Sequence, residues 1–220
     1  MTFTRRTAGK ALALGASSCL VSATFAKTRP EPNGIPKPYR SVNVPGDKSN
    51  VIFFFDFSCP FCAKLHDPFI EWSATAPKSI NVSMLPVVYA VNPDEIRDQV
   101  IAARCYFAAR QLATPLQFKL FINAVYENVA SGVSIVSQQG WIRAATTAGI
   151  DAGQFGRAIS ASDHLPEIKD SAKSAIRYAL EATPSVAIGG AYVVIPDNAG
   201  GTPTKFFALI NGLTSRLLAA

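Results

Sequence analysis

The sequence predicts an α/β protein: a sheet flanked by helices and interrupted by an inserted all-helical domain. Three observations carry this. Val51-Ile52-Phe53-Phe54-Phe55-Asp56-Phe57 is a nearly unbroken apolar, β-prone run, the pattern of a strand covered on both faces. Residues from about 93 to 178 show helical periodicity and no convincing strand. Strand character returns at 185–188 and 192–195, joined by Gly189-Gly190, a two-glycine hairpin signal. With 220 residues the chain can bury one sizeable core, or one domain interrupted by another. At 49% hydrophobic and 16% charged residues the composition is that of a globular protein, not a disordered or fibrous one.

Taken in order, the chain begins with a leader. Arg5, Arg6 and Lys10 precede an apolar run from Ala11 to Val21, and Thr24-Phe25-Ala26 offers small residues for cleavage after Ala26. Thr4-Arg5-Arg6 with Lys10 also resembles a twin-arginine export signal. Ala8 and Gly9 lack the bulky apolar character usual there, so the general secretory route is preferred. An uncleaved leader serving as an anchor is the alternative. Cys19 is expected to leave with the leader, because Ala16-Ser17-Ser18 lacks the leucine of a lipoprotein signal. Three of the 21 basic residues and none of the 15 acids lie in 1–26, so cleavage lowers the net charge from +6 to +3. Charge that mild and scattered gives no argument for nucleic acid as a partner and reads as a solvated surface, and no later run is long and apolar enough to span a bilayer.

Residues 27–48, with Pro30, Pro32, Pro36, Pro38 and Pro45, form an extended arm, in which 39–44 is a candidate edge strand. The strand over 51–57 leads into Cys59-Pro60-Phe61-Cys62, and a helix is expected from Cys59 to about Ala74, kinked at Pro68. A second strand is read over 80–88, giving a first part of the α/β domain over 49–92. The insertion, 93–178, opens where Asn92 caps, Pro93 fits the first turn, and Asp94 and Glu95 suit the positive helix end. Ile96, Val100, Ala103 and Phe107 form one apolar stripe, with Ile101, Cys105, Ala108 and Leu112 beside it. Further helices are predicted over 116–128, 137–148, 151–159 and 167–181, with Gly149 a stop and Asp151 a restart. The second part of the α/β domain, 179–220, holds the hairpin and a closing amphipathic helix over 206–218.

The chemistry centres on Cys59 and Cys62. Three cysteines remain after cleavage, too few and odd in number for a disulfide scaffold. A strand that delivers a Cys-x-x-Cys pair to a helix start puts the first sulfur against free backbone N–H groups, which favour its thiolate. Pro60 is harmless in a first turn. His66 adds a Cys-x2-Cys-x3-His spacing suited to zinc, but the fourth ligand would have to be Cys105 or His164, and Pro60 with Thr183-Pro184 would go unexplained; no metal is expected. Cys105, among apolar helix positions, is read as a buried small hydrophobe, and Trp72 and Trp141 as core.

These residues, with Ala182-Thr183-Pro184-Ser185 ahead of the glycine hairpin, resemble the DsbA family of exported thiol oxidoreductases over roughly residues 45–218. The resemblance implies a thioredoxin-like sheet with a helical insertion and a cis Thr183–Pro184 bond facing the sulfurs. It implies catalysis by Cys59 and Cys62 and substrate binding by Pro60, Phe61, Thr183 and Pro184, with no cofactor. Partners would be folding exported proteins with free thiols and a re-oxidising membrane protein of DsbB type. The protein would be a periplasmic monomer. Phe61 stands where the best-known members have histidine and cannot help the thiolate, so a weaker oxidant is expected. The buried acid six residues before the first cysteine is replaced by Phe53. Asp56 is then either a proton acceptor near Cys62 or a solvent-facing residue. An isomerase or reductase would carry a dimerisation domain for which 27–48 has no room, so a disulfide donor is preferred. A binding module without turnover is the third reading.

Overall fold

In the computed structural model, residues 37–161 and 164–219 are described; the leader and the arm up to residue 36 lie outside them. Five strands form one mixed sheet in the order β1-β5-β4-β2-β3. These are β1 (Arg40–Ser41), β2 (Asn50–Phe55), β3 (Asn81–Pro86), β4 (Ser185–Ile188) and β5 (Tyr192–Val194). β3 runs parallel to β2; the pairs β2–β4, β4–β5 and β1–β5 are antiparallel. Helix α1 (Pro60–Thr75) connects β2 to β3, as a parallel pair requires. Between β3 and β4 come α2 (Pro93–Leu112), α3 (Pro115–Ala130), α4 (Gln138–Thr147), α5 (Ala152–Ser160) and α6 (Leu165–Arg177), and α7 (Pro203–Leu218) closes the chain. The α/β class with a helical block between two halves of the sheet is therefore the observed one.

Two apolar layers explain why β2 is hydrophobic throughout. Val51, Phe53 and Phe55 enter the larger core, where the Phe53 ring lies 4.6 Å from Phe69 of α1 and the Phe55 ring 5.4 Å from Tyr106 of α2. Ile52 and Phe54 enter the smaller one, with Phe54 5.8 Å from Tyr178. Alternate side chains of one strand thus bind α1 and α2 on one face and the end of α6 on the other. β2 can do this only with large apolar residues at every position from Val51 to Phe55. The helical block is tied to the sheet by polar bonds as well: Tyr106 donates to the Met84 carbonyl at 3.0 Å, and Ser171 donates to that of Pro86.

Several boundaries differ from the sequence reading, each for a local reason. β2 ends at Phe55 and not at residue 57, because Asp56 and Ser58 turn the chain into α1. Pro68 sits inside α1, which continues through it. On α2 the expected Ala103, Cys105, Phe107 and Ala108 are buried, but Ile96 and Leu112 are exposed and Gln99, Ala102, Tyr106 and Ala109 are buried as well. α6 stops at Arg177 because Ala179 takes the left-handed conformation, φ 46°, that glycine more often supplies at this position. The carbonyls this leaves at Tyr178 and Ala179 accept from the Arg40 guanidinium at 2.6 and 2.8 Å. α7 starts three residues early, with Thr202 accepting from the Lys205 N–H. A 3₁₀ turn at Asp197–Ala199 was not anticipated.

The hairpin glycines are both required. Gly189 and Gly190 have φ of 61° and 66°, and a Cβ at Gly190 would lie 2.3 Å from the Val44 carbonyl oxygen. Gly190→Ala is therefore expected to cost about 2 kcal/mol or more, measured as a shifted urea midpoint at unchanged m-value.

Candidate functional site

The site forms where β2 ends and α1 begins. Cys59 is the N-cap of α1, with no side-chain cap of its own, Pro60 at the first helical position, and no acidic residue in the first turn. The backbone N–H groups of that turn are therefore left to the Cys59 sulfur, together with the positive end of the helix. Cys62 lies one turn deeper and is fully buried, while Cys59 is half-buried; both are free thiols.

The two sulfurs ionise very differently. The Cys59 pKa is lowered to about 6, chiefly by a hydrogen bond from the Cys62 thiol; burial opposes this, and the Cys62 N–H, the Thr183 side chain and the Phe61 N–H add to it. Burial, followed by the bond to Cys59, raises Cys62 far above the ordinary thiol range. Each sulfur thus enforces the other's state: one thiolate, one thiol. Thr183 meets both forms of Cys59, since its carbonyl oxygen accepts from the Cys59 thiol at 3.2 Å while its side chain favours the thiolate. The Thr183–Pro184 bond is cis, and Pro184 is buried.

The structure therefore brings Cys59, Cys62 and Thr183 together. Phe61 projects away: it is 59% exposed, with the Lys64 ammonium 5.7 Å from its ring centroid. Asp56 meets Cys62 through its backbone, whose N–H donates to the Cys62 sulfur at 3.5 Å. Its carboxylate does not simply face solvent, because it accepts from the Ser58 N–H at 2.7 Å, from the Ser58 hydroxyl, and from Gln99 at 3.1 Å. Gln99 and Ser58 were missed in the sequence. A glutamine within an apolar helical stretch was the available signal for the first.

The remaining candidates lie apart from the sulfur chemistry. His66 is buried, with its ring 3.2 Å from Asp67, and burial lowers its pKa. Asp67 in turn accepts from Asn123 and pairs with Lys119. Among the described residues no cluster of three or more His, Cys, Asp or Glu could hold a metal ion. Burial raises Cys105 to about 12, leaving it a small apolar side chain. Trp72 is in the core and donates to Asn211 at 2.6 Å. A cleft of ≈ 350 Å³ borders the site, with Asp56, Tyr89, Val91, Gln99, Ala182 and Thr183 among its lining residues.

This sheet order, with a split-pKa cysteine pair at the first helix start, defines a dithiol protein of thioredoxin-like fold. The family model described as Thioredoxin matches residues 46–204. The thiol:disulfide interchange protein DsbA of Bordetella pertussis is 25% identical over 199 residues, spanning 90% of this chain and 89% of that protein. The crystal structure of Pseudomonas aeruginosa DsbA superposes with a TM-score of 0.71 at 18% identity, over 83% of this chain and 93% of that one. That of Xylella fastidiosa DsbA gives 0.67 at 21%, over 83% and 96%. The chain belongs to the thioredoxin family, as a DsbA-like thiol:disulfide oxidoreductase.

The ionisation split is directly measurable. Thiolate absorbance of the reduced protein should titrate with a midpoint near pH 6, and Cys62→Ala should move that midpoint upward, because the strongest stabilising bond to the thiolate is lost. A midpoint unchanged by Cys62→Ala would assign the stabilisation to the helix start and Thr183 instead.

Proposed function

We propose that the protein is an exported disulfide donor, which passes its Cys59–Cys62 disulfide to folding proteins with free thiols. A substrate thiolate attacks the Cys59 sulfur. The Cys59–Cys62 bond breaks, and Cys62 leaves and takes up a proton, as its raised pKa favours. The substrate's second thiolate then attacks its own half of the mixed disulfide. A substrate disulfide forms, and Cys59 departs as a thiolate stabilised at the helix start. The observation that supports this direction is the low pKa of Cys59 against the high one of Cys62. A good leaving thiolate makes the pair oxidising, a relation for which the DsbA family is itself the standard example.

In this reading Thr183 offers backbone groups to the substrate chain, Pro184 holds that loop against the sulfurs, and Pro60 and Phe61 form the exposed lip. Asp56 takes the proton from Cys62 when the pair is re-oxidised. The re-oxidant is a membrane partner of DsbB type, and no bound cofactor is required. The chain is organised as a cleaved leader over 1–26, an arm over 27–48, a split thioredoxin-like domain over 49–92 and 179–220, and the helical insertion over 93–178. It works in the periplasm as a monomer.

The test uses stoichiometric oxidised protein against a reduced, unfolded substrate with paired cysteines. One substrate disulfide should form per enzyme disulfide consumed, Cys59→Ser should abolish the transfer, and Phe61→His should make the pair more oxidising. A protein that instead reduces insulin rapidly and leaves the reduced substrate untouched is a reductase.

A further inference from the structure

Gln99 is a polar residue in the interior, 7% exposed, on the face of α2 turned to the sheet. A buried amide is retained only where its hydrogen bonds are met, and both of its ends are. Its carbonyl oxygen accepts from the Tyr89 N–H at 2.8 Å, and its amide nitrogen donates to the Asp56 carboxylate at 3.1 Å. Asp56 is bound on its other oxygen by Ser58, and its own N–H points at the Cys62 sulfur, 3.5 Å away. One side chain of the insertion thus joins the loop after β3 to the turn beneath the buried cysteine.

From this chain of bonds we infer that Gln99 is a positioning residue of the dithiol site: it fixes the Asp56–Ser58 turn so that the Asp56 N–H serves the Cys62 sulfur. The inference rests on the dithiol reading above. It acts on Cys62 only. No hydrogen bond joins Gln99 to Thr183, to the first turn of α1 or to either sulfur, and it reaches Cys62 only through Asp56. A backbone N–H aimed at Cys62 stabilises that sulfur as it becomes a thiolate, whether Cys62 is leaving or attacking. Starting from the reduced protein, the effect of Gln99 should therefore appear when Cys62 closes a mixed disulfide and not when the Cys59 thiolate forms it.

The experiment follows the reduced protein with glutathione disulfide. The Cys59 thiolate attacks it, giving a Cys59–glutathione mixed disulfide and one glutathione thiolate. Cys62 then gives up its proton, taken by Asp56 in the reading above, and attacks the Cys59 sulfur, the Cys59–Cys62 bond forms, and the second glutathione leaves; two electrons pass from the pair to glutathione disulfide. In Gln99→Leu both bonds are lost. Gln99→Glu is nearly isosteric and keeps an acceptor for Tyr89, but sets a carboxylate against Asp56. Both variants should slow closure about threefold to tenfold, the size of one net hydrogen bond. The first step and the Cys59 titration midpoint should stay at their wild-type values. Closure at the wild-type rate in Gln99→Glu would overturn the inference, and so would a Cys59 midpoint that shifts along with the closure rate. Failure of the wild-type protein to form the mixed disulfide would instead sink the dithiol reading itself.

Discussion

Cys59 is kept as a thiolate by neutral partners. Among the described residues no lysine, arginine or protonated histidine supplies the stabilisation; it comes from the Cys62 thiol, from backbone N–H groups and from Thr183. Dipoles of this kind act only if they are held in place, since a freely turning donor would be no better than water. The rest of the fold can be read as the means of holding them. The end of β2 sets the start of α1, and the register of β4 against β2 brings the loop of Thr183 to the sulfur. The burial that fixes Cys62 as a thiol also makes it a donor.

The helical insertion is part of that support. α2 places Tyr106 against Phe55 and Gln99 beneath Asp56, and Trp141 of α4 packs on Phe57 with ring centroids 5.3 Å apart. Both residues that flank Asp56 are thus covered by insertion side chains. On the opposite face of the sheet, Tyr178 packs on Phe54 and donates to Asp47 at 2.7 Å. The carbonyls at the end of α6, just before the Thr183 loop, are held by Arg40 of β1. An edge strand only two residues long therefore bears on the geometry of the site through a guanidinium.

What was legible in the sequence follows from which signals are local. The apolar run of β2, the Cys-x-x-Cys at a helix start and the two-glycine hairpin are all set by neighbouring residues, and all appear, with β2 ending two residues before the expected position. That Thr183 would lie beside Cys59, 124 residues away in the chain, came from the resemblance and not from periodicity or spacing. The overlapping stripes of α2 could not be ranked from sequence, because Ile96 and Leu112 look as fit for burial as Tyr106. The end of α6 was hidden by an alanine in a conformation that glycine usually takes. Gln99 was illegible because polar residues on helices normally face water; its burial depends on Asp56 and Tyr89, which reach it only in the folded chain.

The central claim is that the folded protein favours the reduced pair through the Cys59 thiolate. The most direct measurement is the denaturation midpoint of the reduced and oxidised forms between pH 5 and 9. A thiol whose pKa is lowered on folding adds stability that is fully present above its unfolded pKa, near 8.5, and that is lost as pH falls through its folded value of about 6. Buried Cys62 works the other way only above about pH 8.5, where unfolded thiols ionise. The account therefore predicts a reduced form more stable than the oxidised one at neutral pH, with a gap that widens from about pH 6 to about pH 8.5. An oxidised form that is the more stable across this range would contradict it.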